Sequence, residues 1–267
     1  MKISFSTLGC PTWSWNDIIA MTKDLGFNGI EIRGIENEIY APNCGPFLSV
    51  NIDKTKEVLK EKGLEIPCLT SASYIFDKNN IEKQMKEGID YIALAQKLGV
   101  KYVRVLGDEQ PYPGENIDFE FVASNLSELA DYADGRNVDV LIETNGIFAN
   151  SRTILKLMER VSKKNVGILW DVNHPFRYMD EPVEDTYRIL KPFIKHLHIK
   201  DSIMENGKIE YKMVGNGDVP LKSVLDMLKR DNYAGYVSLE WVKRWNNNLE
   251  SPAIALPHFV NYIKKYI

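Results

Sequence analysis

A chain of 267 residues, 44% hydrophobic and 26% charged, is long enough to bury one large core and has ordinary globular composition. Its net charge of −4 and isoelectric point near 5.7 argue against a non-specific nucleic-acid binder, which carries a basic face. No apolar run approaches the roughly 20 residues that span a bilayer, and Met1-Lys-Ile-Ser-Phe-Ser6 opens as a strand instead of a signal peptide, so a cytoplasmic protein without membrane or nucleic-acid partners is expected.

Read for period, short apolar strands alternate with amphipathic helices eight times along the chain. The strands fall at Lys2–Thr7, Gly29–Gly34, Leu64–Thr70, Tyr102–Gly107, Val138–Thr144, Val166–Val172, Ile194–Asp201 and Tyr236–Trp241. Helical patterns lie between them at Ile18–Leu25, Lys54–Lys62, Ile81–Leu98, Asp118–Arg136, Leu155–Val161, Glu184–Leu190 and Leu221–Lys229, with a closing helix near Pro257–Tyr266. Gly26, Gly63, Gly99 and Gly135 stand where helices give way to strands, the usual place of a left-handed cap. A repeated strand–helix order builds either an open doubly wound sheet or a closed barrel. The first turn, Thr7-Leu-Gly-Cys-Pro-Thr-Trp13, has one glycine and a proline in place of a glycine-rich phosphate turn. The prediction is therefore a (β/α)8 TIM barrel, one domain over residues 1–267. Cys10, Cys44 and Cys68 are odd in number and lack zinc or disulfide spacing, so they are read as free thiols.

In such a barrel, chemistry sits at the carboxyl ends of the strands. The stretch Val166-Gly-Ile-Leu-Trp-Asp-Val-Asn-His174 puts Asp171 and His174 where an apolar strand runs out. Glu143, His198 and Glu240 occupy equivalent places on the fifth, seventh and eighth predicted strands. A carboxylate in an apolar run either points into the mouth or carries a burial cost of several kcal/mol. A lone strand-end acid is more often a cap or rim residue, but four such residues on consecutive strands are harder to dismiss. Three carboxylates meeting without a cation would repel one another, and a divalent metal held by three carboxylates and one imidazole resolves this. The oxygen-rich set suits Mn, Mg, Co or Zn. His196 and His198 share a facing by period two, so spacing leaves open which of them is the ligand. Around this centre, His174 lies in a proline-containing loop, where it is either a surface turn or a substrate contact. Trp13 and Trp15 follow the first strand and offer an aromatic wall or a packing contact. Glu31 and Arg33 leave the second strand together and are read as a rim salt-bridge network. Arg104 sits in an apolar strand and must meet an anion, either a substrate phosphate or a structural acid.

The chain resembles the xylose isomerase-like barrels, a group of sugar and sugar-phosphate isomerases and epimerases, inosose-type enzymes and endonuclease IV. The resemblance rests on Phe5-Ser-Thr-Leu-Gly-Cys-Pro11, Gly29-Ile-Glu-Ile-Arg33, Leu141-Ile-Glu-Thr-Asn145, Trp170-Asp-Val-Asn-His174, His196-Leu-His-Ile-Lys-Asp201, Gly215-Asn-Gly-Asp218 and Ser238-Leu-Glu240 in that order. It implies Glu143, Asp171, His198 and Glu240 as ligands of one divalent ion, with Glu143 and Glu240 also passing the proton. His174 would then hydrogen-bond a substrate oxygen and Lys200 would offset charge near the enediolate, with Trp13 and Arg104 shaping the pocket. The implied reaction is isomerisation or epimerisation of a small carbohydrate, a ketose or sugar phosphate, through a metal-stabilised enediolate. A homodimer or homotetramer is left open.

Three other functions compete. An inosose-type dehydratase would use the same ligands and differ only in pocket shape. An endonuclease IV-like nuclease needs further histidines, but Leu69-Thr-Ser-Ala-Ser73, Leu106-Gly-Asp-Glu109 and Val214-Gly-Asn-Gly-Asp218 lack them, and the chain holds 4 histidines in all. A non-catalytic sugar-binding barrel has no use for paired acid and base groups at a metal.

Overall fold

Strand β1 (Lys2–Ser6) and helix α1 (Trp15–Leu25) begin an alternation that the computed structural model, describing residues 1–267, carries to the end of the chain. It continues through β2 (Gly29–Glu31), α2 (Ile52–Lys62), β3 (Cys68–Tyr74), α3 (Ile81–Leu98), β4 (Tyr102–Leu106), α4 (Phe119–Ala133), β5 (Asp139–Glu143), α5 (Ser151–Val161) and β6 (Val166–Asp171). After α6 (Asn173–Tyr178), α7 (Val183–Leu190) and β7 (Ile194–Ile199) comes a hairpin of β8 (Asp201–Glu205) and β9 (Lys208–Lys212). The order closes with α8 (Leu221–Arg230), β10 (Tyr236–Leu239) and α9 (Pro252–Ile263). No helix is long and apolar enough to cross a membrane.

The chain divides into two compact units, the first made of Met1–Pro67 with His198–Ile267 and the second of Cys68–Leu197. In the first unit β1 pairs in parallel with β2 on one side and β10 on the other, Ser4 standing level with Gly29 and with Ser238. The first strand thus has the last one as its neighbour, as closure of a barrel requires. In the second unit β3, β4, β5 and β6 pair in parallel in sequence order, with Arg104 level with Leu141 and Glu143 level with Leu169. No strand order reverses there, so the unit has no switch point of the doubly wound kind.

Both faces of the central strands are covered. Val140, Leu141, Ile142, Ile168, Leu169 and Trp170 are all 0% exposed, and each contributes about 1.5–3 kcal/mol of burial. This is why they read as continuous apolar runs instead of alternating ones. The helix ends follow local chemistry. Ser14 and Asp17 close a capping box at the start of α1, and Gly26 and Gly63 end α1 and α2 in the left-handed region at φ 78° and 65°.

Several boundaries differ from the sequence reading, and four of the differences bear on the site or the fold. The third strand was read as Leu64–Thr70 but runs Cys68–Tyr74. Pro67 has no N–H to donate, and Glu65 instead bridges to Gly29 in the first unit. The polar second half of β3 is held by α3, Glu87 accepting the Ala72 N–H at 2.6 Å and Gln84 that of Tyr74 at 2.9 Å. The hairpin β8–β9 turns at Asn206-Gly207, both at positive φ, a hairpin signal present in the sequence. His174 belongs to the short helix α6 and not to a loop. The closing helix starts at Pro252 and continues through Pro257.

Candidate functional site

The predicted site residues fall into two groups, one in each unit. In the second unit Glu143 ends β5 and Asp171 ends β6, and both are buried, at 3% and 0% exposure. Arg104 lies on β4 level with Leu141, two residues before Glu143, so parallel pairing turns both side chains to one face. Its Nε is 3.1 Å from Glu143 Oε2. The anion that the sequence demanded for Arg104 is thus a carboxylate of the protein itself. Asp171 starts the next helix: its Oδ1 accepts the N–H of Asn173 at 2.9 Å and that of His174 at 3.3 Å. This capping brings the His174 ring back over the strand ends. Its Nδ1 lies 2.9 Å from the Thr144 carbonyl, an acceptor only, so Nδ1 carries the proton. The other nitrogen, Nε2, is 3.6 Å from Asp171 Oδ2.

In the first unit His198 is completely buried near the end of β7, and its Nε2 lies 2.9 Å from Glu31 Oε1. A carboxylate accepts here, so Nε2 donates to it, and the other ring nitrogen, Nδ1, is 3.4 Å from Glu240 Oε1. Glu31 is therefore a buried orienting acid, at 0% exposure, and not the rim residue that its spacing to Arg33 suggested. Nothing local signals this, because its partner stands 167 residues away. Glu240 follows β10 directly and is paired with Lys200 through its Oε2. Lys200 is 3% exposed, so it is a buried ion-pair member and not a solvated lysine. Arg33 Nη1 donates to the Ile39 carbonyl at 3.2 Å.

The other residues singled out from the sequence have plainer settings. Trp13 is half-buried, its N–H donating to the Cys10 carbonyl at 3.1 Å, and Trp15 packs edge-on to Phe47 at 5.6 Å. The three cysteines are buried free thiols. Burial pushes the Cys10 thiol up to about 12 and the Cys44 thiol up to about 11, so neither is a nucleophile at neutral pH.

The loops above the second-unit strands are tied down by Asp108. Its carboxylate accepts the N–H of Glu109 at 2.7 Å, Gly114 at 2.9 Å and Ile147 at 2.9 Å. Gly146 has φ 58°, and a Cβ there would stand 2.1 Å from the Asp108 side chain. Gly146→Ala should therefore cost about 2–3 kcal/mol, seen as a lower urea midpoint at unchanged slope. A loss under about 0.5 kcal/mol would mean that this anchor yields easily.

Residues 19–260 match the xylose isomerase-like TIM barrel family. The chain belongs to that family. Its fold is accordingly the (β/α)8 barrel. Among curated relatives, fructoselysine 3-epimerase of Escherichia coli O157:H7 is 24% identical over 260 residues, 92% of each chain. Inosose dehydratase of Clostridium tetani is 25% identical over 151 residues, 50% of each chain. Among solved structures, the IOLI protein with a bound zinc atom superposes with a TM-score of 0.79 at 20% identity, covering 100% of this chain and 99% of that one. The named relatives are thus enzymes, an epimerase and a dehydratase.

The IOLI protein was solved with a zinc atom bound, and the residues of this chain include groups that could hold a metal ion. Carboxylates and imidazoles suited to a metal ion occur in both units. In the second unit Glu143 and Asp171 are buried carboxylates, and Arg104 pairs with Glu143. In the first, the buried Glu31 lies against His198 and the buried Glu240 pairs with Lys200. Buried carboxylates of this kind are stabilised by a bound cation.

Proposed function

We propose that the protein is a divalent-metal-dependent epimerase or isomerase acting on a ketose, with Glu143, Asp171, His198 and Glu240 holding one ion. The observation that carries this reading is the set of buried metal-type donors, Glu143 and Asp171 at the strand ends of one unit and His198 and Glu240 in the other. The mixed oxygen and nitrogen donors suit Mn, Mg, Co or Zn. Residues 1–267 act in this reading as one barrel domain.

When bound, the ion supplies Lewis acidity toward the substrate carbonyl oxygen, easing loss of the neighbouring proton. The chain's own residues do the rest. Glu143 and Glu240, one from each unit, take the proton from the carbon and return it. Arg104 pairs with Glu143 and Lys200 with Glu240, which fixes where these carboxylates stand. His174 is fixed by the Thr144 carbonyl so that Nε2 faces Asp171, where it orients a substrate oxygen. Glu31 holds His198 in the tautomer that directs Nδ1 to the ion.

The test is proton exchange: fructose, allulose and tagatose incubated with manganese-loaded protein in heavy water should gain deuterium next to the carbonyl. An unsaturated product with loss of water would move the assignment to the dehydratase reading, which the same donors serve and which the likeness to inosose dehydratase supports. Neither product from any ketose or inosose would sink both. Glu31→Gln should lower affinity for manganese about 10–100-fold, measured by competition with a chelating dye. Unchanged affinity would remove Glu31 from the support of the ligand set.

A further inference from the structure

Strands β1, β2 and β10 of the first unit are level at Ser4, Gly29 and Ser238. Side chains at level positions of neighbouring parallel strands share a face. The opposite face belongs to the helices, since Phe5 packs on Phe27 at 4.9 Å and Phe27 on Phe259 of α9 at 6.0 Å. Ser4, Gly29 and Ser238 therefore stand together on the inner face. Bulky branched residues normally fill such a layer in a (β/α)8 barrel. Here three neighbouring strands contribute two hydroxymethyl groups and a hydrogen atom.

The layer is closed and polar. Ser4 and Ser238 are each 0% exposed, and neither Oγ has a hydrogen-bond partner within the protein. Below them Tyr236 is level with Lys2, its hydroxyl donating to Glu65 Oε2 at 2.7 Å. The tyrosine ring reaches as far as β2, where a Cβ on Gly29 would stand 2.9 Å from Tyr236 Cε1. Above them Ser6 is level with Glu31, and Glu240 follows Ser238 by two residues. A buried hydroxyl without a partner is strongly disfavoured, and two in one layer of small residues call for a shared partner that can both accept and donate. Water does both, and polar pockets of this kind take it.

We propose that Ser4 and Ser238 hold one ordered water on the inner face of the first unit, as a polar floor under the carboxylates of Glu31 and Glu240. Two residues along a strand span about 7 Å, roughly two hydrogen bonds end to end. A water that accepts from both serines therefore has its own protons directed at the carboxylate layer. It adds a donor on the side of that layer away from the strand ends, whichever reaction the carboxylates serve.

A crystal structure of the full chain, at a resolution that shows ordered solvent, tests the site directly. The expected result is one peak about 2.5–3.0 Å from both Ser4 Oγ and Ser238 Oγ. Melting temperatures of Ser4→Ala, Ser238→Ala and the double variant supply a second reading. Each single substitution should lower the melting temperature by about 2–4 °C, because it removes a hydroxyl that the water satisfies. The double variant should lose clearly less than the sum, since either change alone already loosens the shared water. No peak, or a peak on one hydroxyl only, overturns the proposal. A melting temperature that rises in either single variant does the same, being the result of deleting an unsatisfied buried hydroxyl, and so does a double variant that loses the full sum. If a variant does not fold, the crystal structure decides alone. Turnover enters neither reading, so the failure of the epimerase assignment would leave this result standing.

Discussion

Glu240→Gln should lower turnover of the substrate ketose by about 10³-fold or more while the chain still folds. A glutamine keeps the size and one oxygen of the side chain but cannot take a proton, and general acid–base roles of this kind are worth roughly 10²–10⁴-fold. The loss corresponds to about 4 kcal/mol of barrier. The fold pays less, because the amide oxygen still accepts from Lys200. Weakening that charge-assisted pair costs about 1–3 kcal/mol. Turnover and a urea unfolding curve on the same sample separate the two effects. A rate near that of the parent protein would remove Glu240 from proton transfer, and Glu143→Gln applies the same test to the other carboxylate, with Arg104 in the place of Lys200.

The second large effect is on the ion. Protein purified without chelator should contain about one divalent ion per chain by elemental analysis, and Asp171→Asn should reduce this to roughly a tenth or less, with activity lost alongside. The substitution is local. Asparagine retains an Oδ1 that can accept the N–H groups of Asn173 and His174, so the start of α6 survives and only the charge goes. Circular dichroism and a melting curve close to those of the parent protein should accompany the loss of metal. About three ions per chain would instead favour a nuclease-like centre. None, even after incubation with manganese or zinc, would leave a sugar-binding barrel as the better account.

Much of the fold was legible in the sequence because it is written in near neighbours. The span of α3 was read as Ile81–Leu98 and is Ile81–Leu98. The donors Glu143, Asp171, His198 and Glu240 stood out because acids and an imidazole at the ends of apolar runs need a reason to be there. Errors arose where a side chain supplied what the backbone pattern lacked. The second half of β3 is polar and was read as loop, yet Glu87 and Gln84 of α3 satisfy its N–H groups. Helix α6 lacks a sequence signal because Val172 stands at its cap and its first N–H groups go to Asp171, a residue read as chemistry.

What the sequence determined by itself is the alternation of strands and helices and the kind of group at each strand end, since both follow from contacts two to four residues apart. Only the tertiary structure decided how those groups are paired. Glu31 faces His198, Arg104 faces Glu143 and Lys200 faces Glu240, across separations from 39 to 167 residues that no local pattern records. The physical reason is that a buried charge takes its protonation and orientation from whatever stands within about 4 Å in space, and packing alone chooses that neighbour.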